Sequence, residues 1–310
     1  MNLFQTQKKL MGSAFSLGVL EDSEYKAGEL LEMGIIEIER LEKLLSEFLQ
    51  DSETSKINKN AWKQPLLVDK ECFQLIERCR DISNLTNGDF DITVKPLKSL
   101  YRFKNANFEM PNKMLIKKTL KSVGYQKIKI DRKNDSVQLN HPNTKISFSA
   151  IGKGYASDRV KQLWQKNGVQ SGYINASGDL NAFGNNAEDE PWKVAIANPD
   201  DKIKVLMYVP LKNASVATSG DYEQHFTWQG KRYSHNINPL TGLPLTGIKS
   251  VSVFSPSAEL SDALATAVYV KGVRKGLDFI NQLPQTHCII IDENNDVNFS
   301  KDLKYEVLAF

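Results

Sequence analysis

Asp262 and Thr266 lie four residues apart, and both carry oxygen atoms that could bind a metal ion. They fall in or beside an apolar segment, Ala263 to Val270, whose pattern predicts a helix. A spacing of four places both side chains on one helical face. A carboxylate and a hydroxyl group are hard ligands that suit Mg²⁺ better than zinc or copper. The alternative interpretation is structural, an aspartate near a helix N-terminus followed by a packed threonine.

A glycine-lysine-glycine sequence at 152–154 is a second candidate, in this case for binding an anion. A strand is predicted from Ser147 up to this point, and a helix is predicted from Gly154 to Lys166. Backbone N–H groups at a helix N-terminus, with the Lys153 ammonium nearby, can bind phosphate groups. The spacing is not that of a Walker A loop, since no Ser or Thr follows the lysine directly. An ordinary strand-to-helix turn is the alternative.

The third candidate is His235, one of only four histidines in the chain. Of His141 and His235, which both lie in polar, turn-rich segments, only His235 is close in sequence to the polar, small-residue turns at 175–179 and 217–223. Histidine titrates near neutrality and can accept the proton of a hydroxyl group. His235 is therefore either a catalytic base or a structural hydrogen-bonding residue, and the sequence alone leaves both interpretations open.

The composition is that of a folded globular protein and gives no argument for nucleic-acid or membrane binding. Of the 310 residues, 41% are hydrophobic and 25% charged, and 40 basic residues nearly balance 37 acidic ones. No segment reaches the ~18 apolar residues of a membrane span. Cys72 and Cys79 would lie about 10.5 Å apart on one helix, too far for a disulfide. With Cys288 they are expected to be reduced core residues.

The N-terminus imitates part of a secretory leader, because Lys8 and Lys9 precede an apolar stretch at 10–20. No small-residue cleavage site follows this stretch, and its alternating apolar residues predict a strand at 12–20. We therefore expect a cytoplasmic protein as the chain stands. The alternative is an exported or membrane-anchored protein from which a leader has been removed.

Hydrophobic periodicity elsewhere predicts a mixture of helices and strands. Helices are predicted at 23–50, 70–86 and 154–166, strands at 127–130 and 136–139, a loop at 51–58, and a turn leading into a strand at 88–94. These segments follow one another without a flexible linker or a change of composition. We therefore predict an α+β fold of two closely packed α/β lobes, with residues 1–310 forming one unit.

Seven segments, in order along the chain, resemble those of one family. They are Met11-Gly12-Ser13, Phe90 to Val94, Ala150 to Ala156, Asn175 to Asp179, Ala217 to Glu223, Tyr233 to His235 with Asn238 to Gly242, and Asp262 to Thr266. The family is that of the ApbE-like flavin transferases, the FAD:protein FMN transferases. The resemblance covers nearly the whole chain. One such segment would be weak evidence, but seven in order are specific.

The resemblance implies an activity and a set of site residues. Members of this family move FMN from FAD to a threonine hydroxyl group of a target flavoprotein, AMP leaves, and Mg²⁺ is required. FAD would bind between two lobes of the fold, and the partner would be an acceptor protein that carries the threonine. Flavin-nucleotide contacts would fall at Met11, Phe90, Asp91, Ile92, Ser147, Lys153 and Ile237, metal ligands at Ala150 (through its carbonyl), Asp262 and Thr266, and the base at His235.

One position departs from the family pattern. Many members have Asp where this chain has Ser147, which can form hydrogen bonds but carries no charge. The metal-binding and phosphate-binding segments match the pattern.

Two other functions use many of the same features. A Mg²⁺-dependent FAD pyrophosphatase would need the same metal and phosphate contacts, with water in place of the threonine as the attacking group. A non-catalytic FAD-binding protein would retain the dinucleotide without turnover. The chain is not itself expected to be a flavin acceptor, because it has no exposed segment of the Ser/Thr-Gly-Ala-Thr type.

Overall fold

A computed structural model of the chain describes residues 1–101, 109–220 and 225–307. Its helices are α1 (Glu24–Leu45), α2 (Glu53–Asn60), α3 (Lys70–Leu85), α4 (Lys95–Lys98), α5 (Lys113–Leu120), α6 (Gly152–Lys166), α7 (Ala258–Lys271) and α8 (Val273–Ile280). Its strands are β1 (Asn2–Leu10), β2 (Ser13–Glu21), β3 (Leu66–Leu67), β4 (Ile128–Asp131), β5 (Ser136–Leu139), β6 (Gly172–Ala176), β7 (Asp179–Phe183), β8 (Trp192–Asn198), β9 (Asp201–Leu211), β10 (Ser215–Gly220), β11 (His225–Trp228), β12 (Lys231–Ser234), β13 (Ile248–Ser255), β14 (His287–Asp292), β15 (Val297–Phe299) and β16 (Glu306–Val307).

An eight-stranded sheet with the order β1-β2-β6-β7-β10-β13-β14-β15 organises these elements. Neighbouring strands in it pair antiparallel. Smaller sheets are formed by β16-β9-β8, by β3-β5-β4 and by the hairpin β11-β12. Helices and strands are mixed along the chain, so the α+β class predicted from the sequence is confirmed.

The N-terminal segment is a hairpin, in which Leu10 pairs with Ser13 across a two-residue turn. Met11 and Gly12 occupy that turn with φ values of 50° and 76°. Positive φ at both central residues matches the twist of the flanking strands, which is why such turns close hairpins. The strand predicted at 12–20 is confirmed as β2, whereas the sequence pattern did not reveal β1.

Most of the predicted elements are confirmed, and the loop predicted at 51–58 is wrong. That segment contains α2, because the Ser52 hydroxyl oxygen accepts the Ser55 N–H (3.0 Å) and caps the helix. Ile57 is buried and anchors the helix to the core. The first long helix also ends earlier than predicted, at Leu45. All three cysteines are free and buried, as expected.

The strands predicted at 88–94 and from Ser147 are also wrong, because both segments are held by bonds other than a strand ladder. Both oxygens of the Asp91 carboxylate accept hydrogen bonds, including those from the N–H groups of Thr93 and Tyr125, each at 2.7 Å. The N–H of Ser147 donates to the Ile92 carbonyl (2.8 Å), which ties the two segments together. Each segment therefore has an irregular backbone that these hydrogen bonds hold in place.

Helix α7 has almost no solvent face, which explains why its sequence is apolar all round. Ala263 and Ala267 belong to the main hydrophobic core, formed largely with α1, α3 and α6. Leu264 and Val268 belong to a second core, with β13 and β14. The helix is thus clamped between two packed regions. No described helix has the combination of length and apolarity needed to cross a membrane.

Gly154 lets α6 and α7 approach each other closely. A Cβ atom at this position would lie 2.1 Å from the Ala258 carbonyl oxygen and 2.9 Å from the Asp262 Cβ. The first of these contacts is with backbone, which cannot move aside as the end of a side chain can. Only glycine fits here without separating the helices.

We predict that Gly154→Ala destabilises the protein by about 3 kcal/mol, the upper end of the range for overpacking. The matched control is Gly28→Ala on the exposed face of α1, where a Cβ would meet nothing within 4 Å. That change should be neutral or stabilising by ~0.5–1 kcal/mol, because alanine favours the helix. Urea denaturation of parent and both variants measures the difference, and equal stability of the two variants would contradict the close-packing argument.

Candidate active site

A cavity of about 380 Å³ opens where the β1-β2 turn, the end of α1 and the start of α6 meet. Three of the residues predicted to contact the nucleotide line it, namely Met11, Ser147 and Lys153. The segment that follows α1, including Glu47 and Phe48, forms another wall. A wider depression of about 860 Å³ lies on the outer face of α1, but none of the predicted site residues lines it.

The Lys153 side chain is directed by an aspartate of the neighbouring sheet. Its Nζ lies 2.5 Å from Asp179 Oδ2, and Asp179 Oδ1 accepts the N–H of Thr218 at 2.8 Å. Asp179 is 7% exposed, so this ion pair is partly shielded from solvent. The carboxylate therefore holds a cation at the start of α6 while it bridges β7 and β10.

The Asp262 carboxylate lies against the first turn of α6. Its Oδ2 accepts the Gly154 N–H at 3.1 Å, and the side chain is 7% exposed. A carboxylate at this position satisfies a backbone donor that has no partner within its own helix, and it interacts favourably with the helix dipole. Because Gly154 directly follows Lys153, the structure brings the predicted anion-binding residues and the predicted metal ligand together.

Thr266 lies one turn beyond Asp262 on the same face of α7 and is half-buried. Its Oγ1 is 3.5 Å from the Ser219 Oγ on β10. Ala150 is half-buried in the turn immediately before α6. These three residues offer a carboxylate, a hydroxyl group and a carbonyl, a donor set of oxygen atoms that fits a hard cation such as Mg²⁺. Within the described ranges, no three His, Cys, Asp or Glu side chains form a metal-binding cluster.

Four of the predicted nucleotide-contact residues have their side chains packed inside the protein. Phe90 is 1% exposed, Ile92 3% and Ile237 4%. The Asp91 carboxylate is used internally, as described above, and burial raises its pKa although the hydrogen bonds from Thr93 and Tyr125 oppose this shift. At these four positions a bound nucleotide could therefore meet backbone atoms, but not freely exposed side chains.

His235 directly follows β12 and is half-buried. It begins a loop that is closed by backbone hydrogen bonds, among them Ser234 N–H to the Leu245 carbonyl at 2.9 Å. The Tyr101 hydroxyl donates to the Gly242 carbonyl (2.7 Å) and anchors the loop to the region around α4. Residues 221–223 of the second polar turn lie outside the described part of the chain, so only its 217–220 portion is placed, in β10.

Two cavity residues were missed by the sequence reasoning. Phe48 is 86% exposed although it is a large aromatic residue, and it stands in the cavity wall. Glu42 accepts the Met11 N–H through Oε2 (2.9 Å) and so fixes the hairpin turn against α1. Both residues fall within the helix predicted at 23–50, whose apolar periodicity gave no sign of a binding site. The polar residues Asp51 and Ser52, which follow Phe48 closely, were the available signal that the helix ends before it.

Asp158 joins α6 to the N-terminus of α7. Its two oxygens accept the N–H groups of Ala258 (3.0 Å) and Glu259 (2.9 Å), the Ser257 hydroxyl (2.8 Å) and an amide hydrogen of Asn181 (2.8 Å). A carboxylate that accepts several donors at a helix N-terminus is a strong cap. Asp158 therefore fixes the end of the helix that carries Asp262 and Thr266.

Comparison with known proteins identifies the family to which the chain belongs. A model of the ApbE family matches residues 11–290. The chain is 29% identical over 293 residues to an FAD:protein FMN transferase of Klebsiella pneumoniae, covering 94% of this chain and 90% of that protein. It is 31% identical over 262 residues to an FAD:protein FMN transferase of Buchnera aphidicola, covering 82% and 76%.

Solved structures give the same result. The ApbE protein of Thermotoga maritima superimposes with a TM-score of 0.89 at 30% identity, over 97% of each chain. The flavinyl transferase ApbE of Pseudomonas stutzeri, in its apo form, superimposes with a TM-score of 0.84 at 25% identity, over 96% of this chain and 94% of that one. The chain belongs to the ApbE family, and the resemblance seen in its sequence is confirmed.

We predict that Asp158→Asn destabilises the protein by about 2–3 kcal/mol, because an amide cannot accept all four hydrogen bonds and offers an unwanted donor to them. The matched control is Asp69→Asn. Asp69 caps its own helix, α3, by accepting the N–H groups of Glu71 and Cys72 through one oxygen, and asparagine is nearly as good at such a cap. Chemical denaturation should show a loss below ~0.5 kcal/mol for the control, and equal losses would contradict the bridging role of Asp158.

Proposed function

We propose that the chain is an FAD:protein FMN transferase that attaches FMN to a threonine of an acceptor protein. Family membership and the similarity to FAD:protein FMN transferases support this function. The observation that carries it within this chain is the adjacency of Lys153 and Asp262 at the first turn of α6, beside a cavity lined by Met11 and Ser147. A cation, an oxygen donor set and an open cavity are what a dinucleotide pyrophosphate needs.

The reaction would exchange the phosphoanhydride linkage of the pyrophosphate for a phosphoester linkage to the threonine. The threonine oxygen forms a bond to the phosphorus of the FMN portion, the bond from that phosphorus to the AMP portion breaks, and AMP leaves. Asp262, Thr266 and the Ala150 carbonyl would hold Mg²⁺, which when bound supplies charge neutralisation at the phosphates. Lys153, oriented by Asp179, adds a second positive charge at the same end of α6.

His235 would accept the proton of the threonine hydroxyl group as its oxygen attacks. The loop that it begins is fixed by the Tyr101 hydroxyl and by its own backbone hydrogen bonds. A base must be held at a defined position to act in the transition state, and an anchored loop provides this. The flavin would occupy the cavity, where Phe48 offers an exposed aromatic face for contact with a planar ring.

Incubation with FAD, Mg²⁺ and a candidate acceptor tests this function, with mass spectrometry of the acceptor and measurement of AMP. A gain of one FMN phosphoester on a threonine, with AMP released only when the acceptor is present, is the expected result. Release of AMP at a similar rate without acceptor would indicate an FAD pyrophosphatase. Retention of FAD with neither product would indicate a binding protein.

We predict that His235→Ala slows FMN transfer by about 10²–10⁴-fold, the usual contribution of a positioned base. FAD affinity should stay within a few-fold of the parent, because the base acts on the acceptor. The control is His141→Ala, since His141 lies in a surface turn where its Nδ1 accepts the Asn143 N–H at 3.1 Å. Single-turnover experiments measure the rate of FMN transfer for the parent and both variants. A parent-like rate for His235→Ala would show that His235 has a structural role and is not the base.

We predict that Asp262→Asn raises the Mg²⁺ concentration needed for half-maximal transfer by more than about tenfold, since even indirect changes at metal sites cost this much. Thr266→Val should act in the same direction but less, because a neutral hydroxyl group binds a hard cation more weakly than a carboxylate does. Glu259→Gln, one turn earlier on α7 and paired with Arg78 (2.7 Å), is the control and should leave the curve unchanged. Superimposable Mg²⁺ titrations for parent and Asp262→Asn would exclude Asp262 as a ligand.

A further inference from the structure

A cavity of about 180 Å³ adjoins Asp179, and the assignments above do not use it. It is lined by the turn between β6 and β7, by residues 194–199, and by hydroxyl-bearing residues of β10 and β13. Asp179 lines this cavity and also forms the ion pair with Lys153, which lines the cavity of the proposed flavin site. One ion pair therefore connects the two cavities.

One wall of this cavity is an open strand edge. β8 is the last strand of the sheet β16-β9-β8, so it pairs with β9 on one side only. In the described part of the chain, no hydrogen bond from outside that sheet reaches the backbone of residues 194–197. Alternate N–H and C=O groups of an edge strand point away from its partner and can pair with another chain. The wall thus offers backbone donors and acceptors to a bound segment.

The sequence of this edge does not protect it from pairing. Residues 194–197 are Val-Ala-Ile-Ala and carry no charge, whereas strand edges that stay unpaired commonly carry charged residues or proline. Ile196 is 6% exposed and packs in the same core as Val216, which holds the strand in place. Ala195 is exposed. The register with β9 shifts after Ile196, so regular pairing on the open side is expected before that point.

The wall formed by the main sheet carries hydroxyl groups. Thr218 on β10 and Ser252 on β13 hydrogen-bond to each other (2.8 Å), and Ser250 lines the same wall. Hydroxyl groups can both donate and accept, so polar side chains of a bound segment would find partners there. The Thr218 N–H donates to Asp179 (2.8 Å), which places this wall beside the ion pair with Lys153. A segment bound in the cavity would therefore lie next to the proposed phosphate site.

We propose that the open edge of β8 binds the acceptor protein by pairing with an extended segment that carries the target threonine. The inference rests on the proposed function, which makes a protein the second substrate. Attacking and leaving oxygens lie roughly in line at the phosphorus, so the threonine needs an approach separate from the space that FAD fills. A strand added to a sheet edge gains affinity from main-chain hydrogen bonds and specificity from its side chains. Pairing with β8 would hold the segment while its threonine reaches the phosphates beside Lys153.

The test uses a synthetic peptide with a Ser-Gly-Ala-Thr segment at its centre, and its binding to the full chain is measured by titration calorimetry. Two further peptides have the same side chains and carry N-methyl groups on alternate backbone nitrogens, one set in each peptide. Only every second N–H of a strand donates to a given neighbour. One methylated peptide should therefore bind about ten- to hundredfold more weakly, the loss expected for two or three backbone hydrogen bonds, and the other within about threefold of the unmodified peptide.

A variant of the edge gives a second readout. Ala195→Glu places a charge on the open edge and should weaken binding of the unmodified peptide about tenfold or more, because charge opposes edge pairing. Its affinity for FAD, measured by flavin fluorescence quenching, should stay within about twofold of the parent. The matched control is Ile203→Glu, which adds the same charge on β9 at a side chain that is 94% exposed and does not line the cavity. The control should change neither affinity.

Equal effects of the two methylated sets, or no binding of the unmodified peptide, would overturn edge pairing, and neither result depends on the folding of a variant. A dimer of the chain that Ala195→Glu dissociates would assign the edge to a second copy and would also overturn the proposal. Peptide binding with the expected alternation, but without FMN transfer to any acceptor, would support the docking and overturn the transferase function alone. FMN transfer that is equal for both methylated peptides would support the transferase function and overturn the docking.

Discussion

The hydrogen bond from the Gly154 N–H to the Asp262 carboxylate is the contact on which the arrangement of the site depends. It forms only because α6 and α7 pack so closely that a side chain at position 154 is excluded. The same contact orients a carboxylate, satisfies a donor at a helix N-terminus and sets the distance between the segments that carry Lys153 and Thr266. One steric constraint therefore determines the relative positions of the predicted phosphate and metal contacts.

Carboxylates of the neighbouring elements support this contact from both sides. Asp158 holds the start of α7, and Asp179 holds Lys153 while it also bonds to the backbone of β10. Each of these side chains links two elements that are distant in sequence. Carboxylates thus supply hydrogen bonds where backbone pairing between strands is not available. These places are the contact between the helices and the point where β7 and β10 stop pairing. The polarity of the site is consequently part of what holds the fold together there.

The sequence predicted the features that depend on local patterns. Periodic apolar residues located the main helices and β2, and the ordered motifs identified the family. It did not predict α2, because a polar segment with few apolar residues looks like a loop unless the cap at Ser52 is recognised. It also misplaced strands at 88–94 and before α6, since the hydrogen bonds that fix those segments come from side chains and loops far along the chain. Adjacency of Lys153 and Asp262 could be inferred only through the family, because it results from packing between helices about a hundred residues apart.

The position of α7 between two hydrophobic cores has a consequence for how a ligand would be bound. A helix buried on nearly every side cannot shift unless both cores repack, so its side chains are held in place before any ligand arrives. The conformational entropy of ordering Asp262 and Thr266 is then lost when the chain folds and not when a ligand binds. Affinity at this end of the site should accordingly be set by charge and by the release of water, with little contribution from rearrangement of the backbone.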